Sequence, residues 1–579
     1  MPDKITMNKI VQILFVFLTT ASFVQAQNKN IITSRNYPQG YFRNPLNIVQ
    51  DASGTFGELR STHFHAGDDY RTQQRIGLPL HAAAEGYVSR VRVQIGGGGN
   101  SVYITHPNGF TTVYLHMEDF NEALTAIVRE EQYKLKRFDV DIPLNEGKVK
   151  LTKGQFIGRA GNTGGSGGPH LHFEIRDTES QRPLNPQLFG LKFKDLFPPT
   201  IQGLIVYDLN SPYFNEYSGR RVQTLKSLGS GQYSLQSNQP IPVNGKFGLG
   251  INTIDRHRAG GFQNGVYSIE LFLDGKPIST VLFEELDFSS SSSIHSYIDY
   301  PQFKKTKAKV QKSFKDPGNP INIYKYLDNQ GIIELSDEAI HDVKYVVKDV
   351  QGNCSELNFK VQQKPTYSQK QYIPKGTPFS FNKANAFQTE DIQIQIPVGA
   401  LYTDVDFVYQ KSAPLAKGYS EVHHVNNSFT PLFSSYNLKI KPSTLPQHLE
   451  SKALITSVES GSVGGKFENG FVTVNTKLFG SFYVTVDTVP PTITARNLTN
   501  GKRVTNQSKI DFTIADNFSG IQSFDAYIDD QWVLMEYDSK TRHIWHTFTS
   551  ATKSGTHKFR LVVKDWKDNE QVYEASFIR

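Results

Sequence analysis

Cysteine is almost missing from this chain: Cys354 is the only one in 579 residues. A single thiol closes no intrachain disulfide, and a cysteine-built metal centre is excluded with it. Any metal must be held by His, Asp or Glu. Beyond the N-terminal segment no stretch is apolar enough to cross a bilayer, which takes about 20 residues. No dense run of Lys and Arg interleaved with aromatics occurs, and the net charge of +7 with pI near 8.9 is mild for this length. A nucleic-acid partner is therefore unsupported, although a weakly basic surface suits an anionic polymer. Helical metal-binding text of the His-Glu-x-x-His type is absent too, so a glutamate base of that kind is not indicated.

What is present begins with an address. Lys4 and Lys9 precede an apolar run, Ile10 to Phe23, broken only by Gln12, Thr19, Thr20 and Ser22. It closes on Val24-Gln25-Ala26, with small residues where a signal peptidase reads, so 1–26 is expected to be a signal peptide cleaved after Ala26. If Met7 is the true start, the signal remains intact. No cysteine follows the run to accept a lipid. Export to the periplasm or cell envelope, or secretion, is the expectation, with no integral membrane segment after cleavage.

The length predicts roughly three to five domains. From about Ile48 to Leu191 the text reads as short strands between glycine turns, such as Gly86–Val93 and Asn100–Thr105. Between about 119 and 150 the texture changes. Ala123, Leu124, Ile127 and Val128 fall at helical spacing among charges, which predicts a helical insertion. Asp195-Leu-Phe-Pro198-Pro199 opens a new region, and Asp487-Thr-Val-Pro490-Pro491 opens another with nearly the same text. The parallel continues from Ile254-Asp255 to Ile514-Ala-Asp516, and from Tyr345-Val-Val-Lys-Asp349 to Leu561-Val-Val-Lys-Asp565. These are two copies of one unit, whose alternating β-branched and aromatic residues suit an antiparallel β-sandwich. The fold is expected to be mainly β: an N-terminal domain at 27–195 and three β-sandwich-like domains at 196–365, 366–487 and 488–579.

Chemistry concentrates in the first domain. In Gly168-Pro-His170-Leu-His172-Phe-Glu-Ile175, a strand's period of two puts His170 and His172 on one face and Leu171, Phe173 and Ile175 on the other. By itself, His-x-His is more often an exposed strand pair than a pair of ligands. His65-Ala-Gly67-Asp68-Asp69 offers an imidazole and a carboxylate that converge if Gly67 permits a tight bend, with His63 and Asp68 as competitors. Such nitrogen and oxygen donors suit zinc, and three protein ligands leave a fourth position for water. In Thr112-Val-Tyr114-Leu-His116-Met, alternation places Thr112, Tyr114 and His116 on one face.

Together these pieces resemble the lysostaphin-like zinc peptidases, family M23, also called the LytM domain. The family's pattern is His-x-x-x-Asp, a Tyr-x-His strand, a glycine-rich turn and His-x-His. Here it stands as His65…Asp69, Tyr114…His116 and Gly158-Arg-Ala-Gly-Asn-Thr-Gly-Gly-Ser-Gly-Gly-Pro-His170-Leu-His172. Gly77-Leu-Pro-Leu-His-Ala-Ala-Ala-Glu-Gly-Tyr-Val and Lys153-Gly-Gln-Phe-Ile-Gly match its connecting text. The resemblance implies an antiparallel β-sheet peptidase domain in which His65, Asp69 and His172 ligate Zn2+. It implies that His116 and His170 are the catalytic histidines, one as general base and the other stabilising the oxyanion. The turn Gly161–Gly168, with Asn162, Gly164, Gly165 and Ser166, is expected to wall a substrate cleft that Tyr114 also lines. The implied reaction is endopeptidase hydrolysis of peptidoglycan stem-peptide cross-links. One rival is a catalytically inactive activator or scaffold for another wall hydrolase; another is an adhesin whose zinc is structural. The two Pro-Pro copies resemble bacterial immunoglobulin-like modules, which implies docking to envelope proteins. Asp391–Tyr402 resembles a strand motif of ZU5-like domains.

Overall fold

The computed structural model describes residues 31–367 and 372–579, so the expected signal peptide lies outside the described residues. The N-terminal part is built on one sheet of eleven strands. Its strands are β1 (Ala52–Gly54), β2 (Asp68–Arg71), β3 (Pro79–His81), β4 (Gly86–Val93), β5 (Asn100–Thr105), β6 (Phe110–Phe120), β7 (Val140–Pro143), β8 (Lys150–Leu151), β9 (Phe156–Ala160), β10 (His170–Asp177) and β11 (Pro183–Leu184). They lie in the order β1-β2-β10-β6-β5-β4-β7, with β9 joining β3 to β6.

Strand β10 sits between β2 and β6, and the register brings His172 beside both Asp69 and Leu115. Leu171, Phe173 and Ile175 are fully buried on its inner face, as the alternation requires. Tyr70 and Tyr114 pack their rings against Phe173 at 6.0 and 5.3 Å. After β6 the helix α1 (Glu122–Leu135) begins at Asn121, whose side chain accepts the Leu124 N–H. It buries Leu124 and Val128, one turn apart, and ends at Lys136 in the left-handed region, φ +50°.

The remainder of the described chain is almost wholly β. Two sheets spanning 200–363 share a core in which Leu204 and Leu249 of one meet Leu271, Tyr345 and Leu357 of the other. Residues 377–486 and 492–578 each form their own sheets and their own cores. Most strand pairs are antiparallel; Gln232–Leu235, Ile241–Val243 and Lys502–Arg503 pair in parallel.

One connection breaks the expected division at residue 195. The segment from β1 to β2 leaves its own sheet and drives Phe56, Leu59 and Phe64 into the core of the 200–363 unit. There Phe64 lies 6.0 Å from Phe283 and 5.8 Å from Tyr297, ring to ring. The apolar side chains of this loop are thus buried by the neighbouring unit rather than by the first sheet.

Candidate metal centre

The structure brings His65, Asp69 and His172 together. His65 Nε2, Asp69 Oδ1 and His172 Nδ1 form a triangle with all three sides 2.9 Å. All three residues are buried, at 5%, 6% and 7% exposure. Two imidazole nitrogens and a carboxylate oxygen aimed at one point repel unless a proton or a cation lies between them. The set is hard-to-borderline and of the kind zinc takes.

Each of these side chains is also held from behind. The His65 Nδ1 lies 2.9 Å from the Thr55 carbonyl, which fixes the proton there and leaves Nε2 its lone pair. His172 Nε2 lies 3.0 Å from Glu174 Oε1, and Arg176 donates to the other oxygen at 2.5 Å. Arg60 donates to Asp69 Oδ2 at 2.7 Å. These outer contacts orient the inner atoms, and the residues present fit a metal.

The charges follow from this packing. Burial pulls the His172 imidazole down, but its bonds to Asp69 and Glu174 outweigh that and raise its pKa to about 9. Burial pushes Asp69 up, yet the three histidines around it hold it well below the usual carboxylate range. Glu174 is likewise penalised by burial, and Arg176 and His172 bring it down to about 2.

His116 and His170 stand beside the triangle with ring centroids 4.9 Å apart. His170 Nδ1 faces the Gly168 carbonyl at 2.8 Å and the Ser166 hydroxyl at 3.1 Å, and its Nε2 lies 3.5 Å from Asp69. His116 Nδ1 faces the Thr163 carbonyl at 2.8 Å. Burial, then the neighbouring His172 and His170, depress the His116 pKa to about 3, so the ring is neutral.

The expected face-sharing of Tyr114 and His116 does not hold. His116 has φ +62°, and the β5–β6 register slips by one residue there. This bulge turns His116 out beside His170, while Tyr114 stays in the core. Tyr114 is fully buried and its hydroxyl accepts the Ala83 N–H at 2.7 Å, so it lines no cleft. Ser166 is buried behind His170, and Gly164 (φ +68°) packs on the Gly99 backbone. Gly165 is exposed, and Asn162 is half-buried. The Asn162 carbonyl accepts from Lys540 of the last unit. That unit also sets Glu536 on Arg129 at 2.9 Å and Trp532 on Tyr133 at 5.5 Å, along α1.

Gly67 is needed for space rather than for a bend. A Cβ there would lie 2.3 Å from the Phe173 carbonyl oxygen and 2.9 Å from His172 Nε2. The sequence reading missed Glu174 and Arg176, although they continue the period-two face after His170 and His172. Thr55 and Arg60 carry no sequence signal, since only the folded loop brings them to the ligands.

The sequence model of peptidase family M23 matches residues 63–133 and 135–186, and that of the Zu5-like domain matches 376–487. The DD-carboxypeptidase/endopeptidase Mpg of Neisseria meningitidis serogroup B is 31% identical over 166 residues, 29% of this chain and 29% of Mpg. The peptidoglycan DD-endopeptidase ShyC of Vibrio cholerae serotype O1 is 28% identical over 149 residues, 24% of this chain and 28% of ShyC. The chain spans under a third of the length of these relatives. Among solved structures, the catalytic domain of the prophage-encoded M23 protein EnpA from Enterococcus faecalis is 26% identical, with a TM-score of 0.18, covering 27% of this chain and 97% of that one.

Proposed function

This chain carries a domain of peptidase family M23 at residues 63–186, and from that premise we propose that it is an exported zinc endopeptidase cutting peptide cross-links of bacterial peptidoglycan. The observation that carries the reading is the 2.9 Å triangle of His65, Asp69 and His172 donor atoms, each braced by its own outer partner. The relative named as a peptidoglycan DD-endopeptidase, and a second named as a DD-carboxypeptidase/endopeptidase, support the choice of polymer. They also favour an envelope location.

Zinc bound by these three side chains would polarise the scissile carbonyl and bring a water's pKa toward neutrality. The chain's own residues do the rest. With Nδ1–H committed to the Thr163 and Gly168 carbonyls, His116 and His170 each keep an Nε2 for the reacting groups. One Nε2 would take the proton from the attacking water, and the other ring would donate to the oxyanion only once it has itself gained a proton. Burial excludes bulk water and strengthens both interactions. Ser166 holds the His170 ring in place. The units after residue 200 are proposed to position the enzyme and to dock envelope partners.

The test is digestion of purified peptidoglycan by the zinc-loaded full chain, read by mass analysis of the released muropeptides. Cross-linked dimers should fall to monomers, and His172→Ala should abolish the change. Dimers that persist with the wild-type protein as they do with the variant would remove the enzyme reading.

A further inference from the structure

Two clusters of shielded carboxylates lie outside this site, at matching positions of the two Pro-Pro units. In the first, Asp195, Asp255 and Asp349 are 8%, 2% and 2% exposed. Donor atoms of Asp195, Asp255 and His257 all lie within 4.8 Å of one another. Asp349 lines the same small pocket as these residues, about 10 Å³ in volume, or about one water-sized sphere. The Asp255 Oδ1 atom is buried and no N–H or hydroxyl donor reaches it; its carboxyl group instead faces that of Asp195, and the two can meet only through a shared proton or a cation. Among the described residues the cluster's only ion-pair partner is His257, with Nε2 3.9 Å from Asp195 and 3.8 Å from Asp255. Burial and mutual repulsion push Asp255 well above the usual carboxylate range.

The last unit repeats the arrangement. Donor atoms of Asp487, Asp516 and Asp565 lie within 4.8 Å of one another, and Asp516 Oδ1 is again buried without a partner. Asp195 Oδ1 accepts the Phe197 N–H and Asp487 Oδ1 the Val489 N–H, each two residues on. Asp349 and Asp565 each bind the backbone and side-chain N–H of an asparagine four residues on, Asn353 and Asn569. Among the described residues no Lys or Arg pairs with Asp195, Asp255 or Asp349, and three buried acids without such a partner are costly in one place. Their recurrence in the second unit, with the same unpartnered oxygen, calls for a cation.

We propose that Asp195, Asp255 and Asp349 hold one calcium ion, and Asp487, Asp516 and Asp565 a second, each locking a Pro-Pro linker onto the unit that follows it. The second cluster offers only oxygen, which selects a hard cation. Magnesium keeps several of its waters, and the 10 Å³ space at the first cluster has no room for them. Thr55 and Phe56 line the same space, and the Thr55 carbonyl is the outer partner of His65. Calcium in the first site would therefore steady the Thr55 segment behind His65. The proposal itself stands apart from the peptidase reading.

The experiment uses the full chain, stripped by chelator and reloaded with one equivalent of zinc, then titrated with calcium chloride by calorimetry and thermal melting. Two calcium ions per chain are expected, with a Tm rise of about 5 °C at calcium 100-fold above Kd. Asp255→Asn and Asp516→Asn should each bind one, and the double variant none. Absence of saturable calcium binding by the wild-type chain overturns the proposal, as does a stoichiometry unchanged in both single variants. Equal stoichiometric binding of magnesium overturns the choice of calcium. If Asp255→Asn fails to fold, Asp516→Asn and the wild-type count decide the question.

Discussion

Gly67→Ala isolates the geometry on which the metal centre depends. The new methyl would sit 2.3 Å from the Phe173 carbonyl oxygen, where ordinary contact begins at 3.4 Å, and 2.9 Å from His172 Nε2. The backbone of 65–69 must therefore retreat from β10 by about 1 Å. Zinc bonds tolerate only about 0.2 Å of departure, and His65 and Asp69 ride on the segment that moves. The displacement itself costs about 1–3 kcal/mol of stability, little beside its effect on binding. We expect a folded variant whose Tm falls by several degrees and whose zinc affinity, measured by competition with a chromophoric chelator, falls at least 100-fold. A variant that melts lower yet binds zinc like the wild type would refute the reasoning.

Other expectations follow from the same contacts. Phe64→Ala removes a ring from the 200–363 core, at a cost of about 3–5 kcal/mol. Because His65 is the next residue, zinc affinity and the melting of that unit should fall together; zinc binding unaffected by the loss would break the link. Glu174→Gln withdraws the charge behind His172, and chelator competition should show zinc held about 10–100-fold more weakly. His116→Ala should keep zinc while lowering kcat for cross-link hydrolysis by about 100-fold or more. The His172 ring keeps its proton up to a pKa of about 9 in the metal-free protein, and zinc must displace that proton. Affinity should therefore rise about tenfold per pH unit below that value, and calorimetry in buffers of different ionisation enthalpy should detect the proton released.

Much of the site was legible in the text because strands have a period of two. His170, His172 and the inward Leu171, Phe173 and Ile175 needed only alternation, and β10 obeys it throughout. Asp195, Asp255 and Asp349 were visible as repeated text matched by Asp487, Asp516 and Asp565, although nothing in one dimension says that they meet. Local rules failed where the backbone leaves the regular strand. The bulge at His116 reverses its face relative to Tyr114, and no composition signal announces a residue at φ +62°. In the sequence Gly67 suggests a tight bend, but it is required by the approach of β10, which comes from a hundred residues away in the chain.

The order and chemistry of the donors were thus determined by sequence alone, because spacing within a strand or turn is a local property. Tertiary structure decided which atoms touch. It set Glu174 and Thr55 behind the histidines, Arg60 on Asp69, and the His65 loop inside a neighbour's core. Those contacts join segments far apart in sequence, and only the packing of whole sheets, each burying its apolar face, fixes such distances.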